Sequence, residues 1–442
     1  MCIQTTALNL SFRKKTLMKV FFTFVTPKKV EIASYSMKHY MSPKYIKIYL
    51  LLLAFVWVVP KTYAQTENSD NSKDDRKPLL LDMQTQIDIA HAINAMYNFK
   101  FDIAENNFEV FREKHPNHPM PYFLFGLSNY WKIMPNQENK AYDQKFLYYM
   151  NKVTSLAKKM YRKNKKDIEA SFFLSAGYGL KATFYAYRKK WRKSVFDAKG
   201  ALKYLKRGKK IQQMSPELLF GDAMYNYYTA QLRKEKPLLR PLLALFPRGN
   251  KQKGLQQLTK VAYNAFYTRT EAQYHLMEIY RYYEKNRTKA LQFARYLYRT
   301  FPDNPYFERS YASIAFSAGW YSELIHVSNS IMNKITAGKP GYEAISGRYA
   351  SYFLGYTYLY RYPDKSRAKN YFQLTVKYAE ETKSYESGYY QSALEKLARM
   401  ARDEKKYRLA KLYYRKVRRY AKRRSKRYKE AKAFLRKYRR LR

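Results

Sequence analysis

The chain has 442 residues, enough for two or three ordinary domains or one long repeat array. It carries 86 Lys and Arg against 34 Asp and Glu, a net charge of +52, and its 48 Tyr stand against only 14 Gly. Few glycines and many aromatic, Lys and Leu residues point away from turn-rich sheets and toward helices. Its single cysteine, Cys2, excludes a disulfide framework and a thiolate metal site.

In chain order, residues 1–41 precede a stretch with its own start signals, so Met37 or Met41 is the expected true start and 1–41 an upstream extension. Residues 42–64 then have the layout of a secretory signal peptide. Lys44 and Lys47 make a positive leader, Ile48 to Val59 an apolar run of 12 residues, and Thr62-Tyr63-Ala64 precede a cleavage point before Gln65. Spanning a bilayer takes about 20 apolar residues, so the run is too short to span one comfortably, and an uncleaved anchor is the second reading. This predicts an exported protein of the periplasm, or of the periplasmic face of an outer membrane, with a net charge of +43 after cleavage. Residues 65–79 are polar and without period, and are expected to be a flexible spacer.

From about residue 80 onward the apolar residues recur at helical spacing, broken by short Pro, Asn and Asp turns. Ala104, Phe108 and Phe111 share a face and Pro116 lies twelve residues past Ala104; Ala290, Ala294 and Leu297 repeat that spacing with Pro302. Leu324 occupies the Ala290 slot 34 residues later, Ala368 and Phe372 follow behind Leu354-Gly355 and Tyr358, and Leu394, Leu397, Ala398, Ala401, Tyr407, Ala410, Tyr414 and Val417 form a last full unit. These residues resemble the tetratricopeptide repeat family of proteins, here in an exported form of Gram-negative bacterial type. The resemblance implies an all-α solenoid of antiparallel helix pairs in a superhelix, about seven to nine pairs long. It is good for 87–119 and for 271–424. It is loose over 120–270, so 80–270 is expected to hold divergent helical repeats. There Ala176, Gly177, Gly179 and Ala182 predict a close helix crossing. Pro237, Pro241 and Pro247 interrupt the pattern, and Leu238–Phe246 between them reads either as a buried plug or as an apolar contact lip.

No phosphate-binding Gly loop, nucleophile elbow or zinc motif occurs. His115 and His118 lie three apart in a Pro-rich turn, lacking the further ligands a metal needs. The expectation is a non-catalytic protein with no cofactor. The resemblance implies a concave face lined by the first helix of each unit and used to bind protein or peptide. By spacing, Tyr306, Arg309, Phe316, Tyr349, Tyr352, Tyr356, Arg399 and Arg402 face it, and Tyr and Arg are favoured at binding hot spots.

Residues 401–442 hold 21 basic and 3 acidic residues. Tyr428, Ala431, Leu435 and Tyr438 recur at helical spacing, so 425–442 is expected to be a basic capping helix. Arg418, Arg419, Arg423, Arg424, Arg427, Arg436, Arg439 and Arg440 form its candidate polyanion contact. In an exported protein the anion would be a phospholipid, a glycolipid or a cell-wall polymer. Without export, the same aromatic and cationic surface suits nucleic acid, and an intracellular RNA-binding protein is the alternative.

Overall fold

The computed structural model describes residues 78–207, 216–235 and 247–439. The upstream extension, the signal peptide, nearly all of the spacer, Leu238–Phe246 and Arg440 lie outside the described residues.

Among the described residues there are 17 α-helices, one 3-10 turn at Leu79–Leu81 and no strand. The helices are α1 Met83–Tyr97, α2 Phe101–Lys114, α3 Pro119–Ile133, α4 Asp143–Lys163, α5 Ile168–Tyr187, α6 Trp191–Arg207, α7 Pro216–Glu235, α8 Lys251–Asn264 and α9 Arg269–Tyr282. They continue as α10 Arg287–Thr300, α11 Pro305–Ala318, α12 Tyr321–Thr336, α13 Ala344–Tyr360, α14 Lys365–Glu381, α15 Gly388–Asp403, α16 Tyr407–Tyr420 and α17 Lys426–Lys437. Consecutive helices pack as hairpins: eight antiparallel pairs followed by α17 as a single cap. The protein is an all-α helical-repeat solenoid.

The starts of these helices are written into the sequence as side-chain caps. Asp82, Asp167, Asn250, Asn286, Asn304, Asp364 and Ser425 each accept a hydrogen bond from a first-turn N–H. The turn between the two helices of a hairpin also repeats. Phe99, Lys189, Lys285, Gly319 and Lys405 all take positive φ, between 53° and 79°, at that place in five of the eight pairs. One left-handed residue ends a helix and reverses the chain at once.

Packing follows the small-and-large pattern. Ala104, Ala290, Ala294, Ala368, Ala398 and Ala410 are fully buried, as are Phe108, Phe372 and Tyr414 between neighbouring helices. Gly355 shows the constraint: a Cβ there would meet Phe372 at 2.9 Å. In α5 the small residues divide. Gly177 does mark a close crossing, its absent Cβ lying 3.1 Å from Thr154 of α4. Gly179 does not; a Cβ there would have nothing within 4 Å.

The solenoid curls until its start touches its middle. Tyr97 at the end of α1 donates to Glu271 of α9 (3.1 Å), its carbonyl accepts from Asn304 Nδ2 (2.7 Å), and Asn98 Oδ1 accepts from the Asp303 N–H (2.9 Å). Trp131 of α3 is completely buried against Tyr274, Tyr306 and Phe307, with ring centroids 5.1–6.4 Å apart. The turn after α3 reaches the sixth and seventh hairpins, where Asn136 donates to Glu343 (2.6 Å). The concave side of the middle units is thus filled by the protein's own first hairpins.

Candidate functional site

The structure carries three candidate sites: the inner face of the C-terminal hairpins, the basic end and a partly open apolar cavity in the N-terminal half.

On the inner face, α11, α13 and α15 bring four of the predicted residues together. Phe316 stacks on Phe353 (4.8 Å) and meets Tyr356 edge-on (5.0 Å); Tyr349 and Tyr352 both contact Tyr389, at 5.0 and 4.6 Å. Phe316, Tyr349 and Tyr356 are half-buried, so each keeps part of its ring in solvent. Tyr352 is buried, and its hydroxyl is hydrogen-bonded to Ser392 (3.0 Å). Burial holds its phenol above the usual tyrosine range. The cluster runs outward to Tyr360, 49% exposed, with the Lys396 ammonium 4.7 Å from its ring.

The other predicted groove residues are structural. Tyr306 belongs to the separate aromatic group around Trp131 and Tyr274. Arg309 presents no free cation. Its guanidinium is 9% exposed, donates to Ser346 Oγ (3.0 Å) and to the Pro135 carbonyl (3.1 Å), and lies between the Tyr306 and Tyr349 rings. Helical spacing carries no information about Pro135, 174 residues away, whose carbonyl accepts from Arg309. Arg399 and Arg402 hold the cap. Arg399 grips Glu430 of α17 through two contacts of 2.9 and 2.5 Å and also pairs with Glu395; Arg402 pairs with Asp403. The Arg399 hydrogen bonds, aided by one from the Tyr414 hydroxyl (2.7 Å), keep the Glu430 carboxyl below the usual range.

At the basic end, α17 packs its Ala431 and Phe434 onto α16, Phe434 against Tyr414 (4.6 Å), while Tyr438 stacks on Tyr407 (4.8 Å). The buried line therefore runs through Phe434, with Tyr428, Leu435 and Tyr438 half-buried beside it. Arg418, Arg419, Arg423, Arg424, Arg436 and Arg439 are exposed, and none of them forms an ion pair among the described residues. Arg427 differs: it is half-buried and pairs with Glu395 (3.5 Å).

The cavity was not foreseen from the sequence. It is a partly open pocket of about 250 Å³ between α3, α5, α6, α7 and α9, and its walls are overwhelmingly apolar. Two buried carboxylates fix its rim. Glu169 accepts from the Leu79 and Leu80 N–H groups (3.2 and 2.6 Å). Glu217 accepts from Phe266, from Tyr267 (3.1 Å) and from the Thr268 N–H and hydroxyl (3.0 and 2.8 Å), which anchors the start of α9. From α9, Glu271 and His275 line the cavity one turn apart, with Glu278 buried on the same helix face. Burial raises the Glu271 and Glu278 carboxyls to about 7 and lowers the His275 imidazole to about 3. All three are therefore largely neutral near pH 5. The available signal was three ionisable residues at i, i+4 and i+7 of an otherwise apolar helix face, beside a run of small residues in α5.

His118, read as a turn residue, caps α3: its Nδ1 accepts from the Met120 N–H (3.2 Å). Among the described residues no three His, Cys, Asp or Glu side chains gather into a metal-holding group, and no helix is long and apolar enough to cross a membrane. No protein-family model matches the chain, and no curated protein matches it.

Proposed function

We propose that the protein is a non-catalytic scaffold of the bacterial cell envelope, of tetratricopeptide type. It holds a protein partner on the aromatic inner face of its last hairpins and sets its basic end against an anionic surface. The observation that carries this reading is the arrangement of two surfaces on one array. A half-exposed aromatic ridge from Phe316 to Tyr360 crosses two hairpins, and six exposed arginines with no ion pair among the described residues occupy the end beyond it. Partly exposed Tyr and Phe on rigid helices give contact area at low entropy cost. Unpaired exposed Arg gives long-range attraction to phosphate or carboxylate.

The test uses native protein carrying a photo-crosslinking residue at Tyr356, recovered from separated cell fractions, with its N-terminal mass measured. The reading expects a chain beginning at Gln65 in the envelope fraction and one dominant protein adduct. An uncleaved cytosolic chain crosslinked to RNA would replace it with the intracellular RNA-binding alternative.

A further inference from the structure

We infer that the cavity between α3, α5, α6, α7 and α9 is a binding site for a small neutral lipophile bearing a single hydroxyl or carbonyl group. This site is independent of the aromatic ridge and of the basic end.

Size and lining carry the first part of the argument. An apolar cavity of roughly 150 Å³ is enough to hold benzene, and this one is about 250 Å³. Its walls come from Ile93, Leu127, Phe172, Leu202, Met224 and similar side chains. Close packing is the rule in protein interiors, and Gly177, Gly254 and Gly355 follow it, each pressed against a neighbouring helix. At Gly179 the rule fails: the glycine lines the cavity and faces open space. Glycine inside a helix costs about 1 kcal/mol relative to alanine. Here neither a close crossing nor a left-handed backbone angle offsets that penalty.

The polar atoms carry the second part. Most hydroxyls on the wall are committed to the protein's own backbone: Ser175 donates to Ala201, Ser194 to Ala182 and Thr183 to Gly179. Three groups on α9 or just before it are not so committed. His275, only 2% exposed, has an unpartnered Nδ1, and the buried Tyr267 hydroxyl is unpartnered too. Glu271 receives Tyr97 and Trp131 on the same oxygen, Oε1, at 3.1 and 2.7 Å, and among the described residues Oε2 has no donor. A buried polar atom left unpaired costs about 1–3 kcal/mol, so His275 Nδ1 and the Tyr267 hydroxyl, with the half-buried Glu271 beside the same apolar space, mark where a ligand's polar group would be held. A hydroxyl or a carbonyl can be accommodated by such a set.

Charge selects the class. No lysine or arginine lines the cavity among the described residues. A carboxylate or phosphate head would be buried with no counter-charge and beside Glu271, an expensive arrangement. Fatty acids and phospholipids are thereby disfavoured, and a neutral alcohol or ketone is favoured.

The experiment uses the full chain, with N-phenyl-1-naphthylamine as a neutral fluorescent probe. Saturable fluorescence enhancement with one site per chain is expected. Decan-1-ol should displace the probe at concentrations at least about tenfold lower than decanoate at pH 8, a difference of about 1.4 kcal/mol. Gly179→Leu should abolish the enhancement while its Tm equals or exceeds that of the natural chain, because the new side chain enters open space. Gly179→Ala should keep probe binding and raise Tm slightly. Non-saturable enhancement, equal displacement by alcohol and carboxylate, or undiminished binding in a folded Gly179→Leu protein would each overturn the inference.

Discussion

The two halves of the solenoid use the same hairpin for opposite ends. In the C-terminal half, from α9 to α17, each first helix presents aromatic rings inward. Tyr352, Phe353 and Tyr389 interlock across hairpins, and the surface left over is a half-exposed aromatic ridge. In the N-terminal half some helices are longer, α4 and α5 of neighbouring hairpins running to 21 and 20 residues. Longer helices with small residues at their centre leave space that neighbouring rings do not fill. The difference shows that a repeat array can display a surface in one half and line a partly open cavity in the other.

The largest effect is expected where the halves meet. Trp131→Ala would remove the ring packed among Tyr97, Tyr274 and Phe307 and leave the Glu271 carboxyl short of a donor. A loss of about 4 kcal/mol is expected, measured by urea unfolding. If the halves unfold independently, the transition splits in two; if the contact unites them, it stays single and shifts. Next comes Gly254→Leu, whose Cβ would lie 2.5 Å from the Tyr227 backbone nitrogen. Backbone cannot yield as a side-chain tip can, so about 3 kcal/mol should be lost, against no loss for Gly179→Leu in the same half.

The acids of α9 sharpen the comparison through pH. The folded Glu271 carboxyl titrates at about 7, above its ordinary 4.5. Its contribution to stability is therefore complete below 4.5 and disappears as pH rises through 7. Glu271→Gln should be close to neutral at pH 5 and stabilising at pH 8, with a ceiling of about 3 kcal/mol set by the shift. Thermal melts of both proteins at the two pH values read this directly. His275, pushed down to about 3, acts in the other direction. It keeps its stabilising neutral form above 6.5 and loses that advantage as pH falls toward 3, so His275→Leu should tolerate acid better than the natural chain.

The smallest expected effect concerns the turns. Lys189, Lys285 and Lys405 take the left-handed conformation that Gly319 takes in the sixth hairpin. Lys405→Gly should raise stability by about 0.5 kcal/mol, the relief of left-handed strain exceeding the added chain entropy. A fall in Tm would mean that the lysine side chain contributes more than its backbone angle costs.

The fold was largely legible because its determinants are local. Caps such as Asn286, Asn304 and Asp364, and the Ala290–Ala294–Leu297 spacing, act within one or two turns. The aromatic ridge was legible for the same reason, since Phe316, Tyr349, Tyr352 and Tyr356 fall on first-helix inner faces by period alone. Curvature was not legible. Small angles accumulate over four hairpins before the Pro135 carbonyl reaches Arg309, and no window of sequence contains both. The cavity was hidden for a related reason. Ala176, Gly179 and Ala182 have the same composition as a tight crossing, and only the path of α6 and α7 makes it a void.

The division between a cavity-lining half and a displaying half is tested most directly by one sedimentation experiment. Vesicles of phosphatidylglycerol and of phosphatidylcholine are pelleted with three proteins: the natural chain, Gly179→Leu, and a variant with Arg418, Arg419, Arg423, Arg424, Arg436 and Arg439 changed to Gln. The account predicts that the natural chain and Gly179→Leu pellet equally with the anionic vesicles and neither with the neutral ones. It also predicts that the arginine variant stays in solution. Equal pelleting of all three proteins, or loss of pelleting in Gly179→Leu alone, would contradict it.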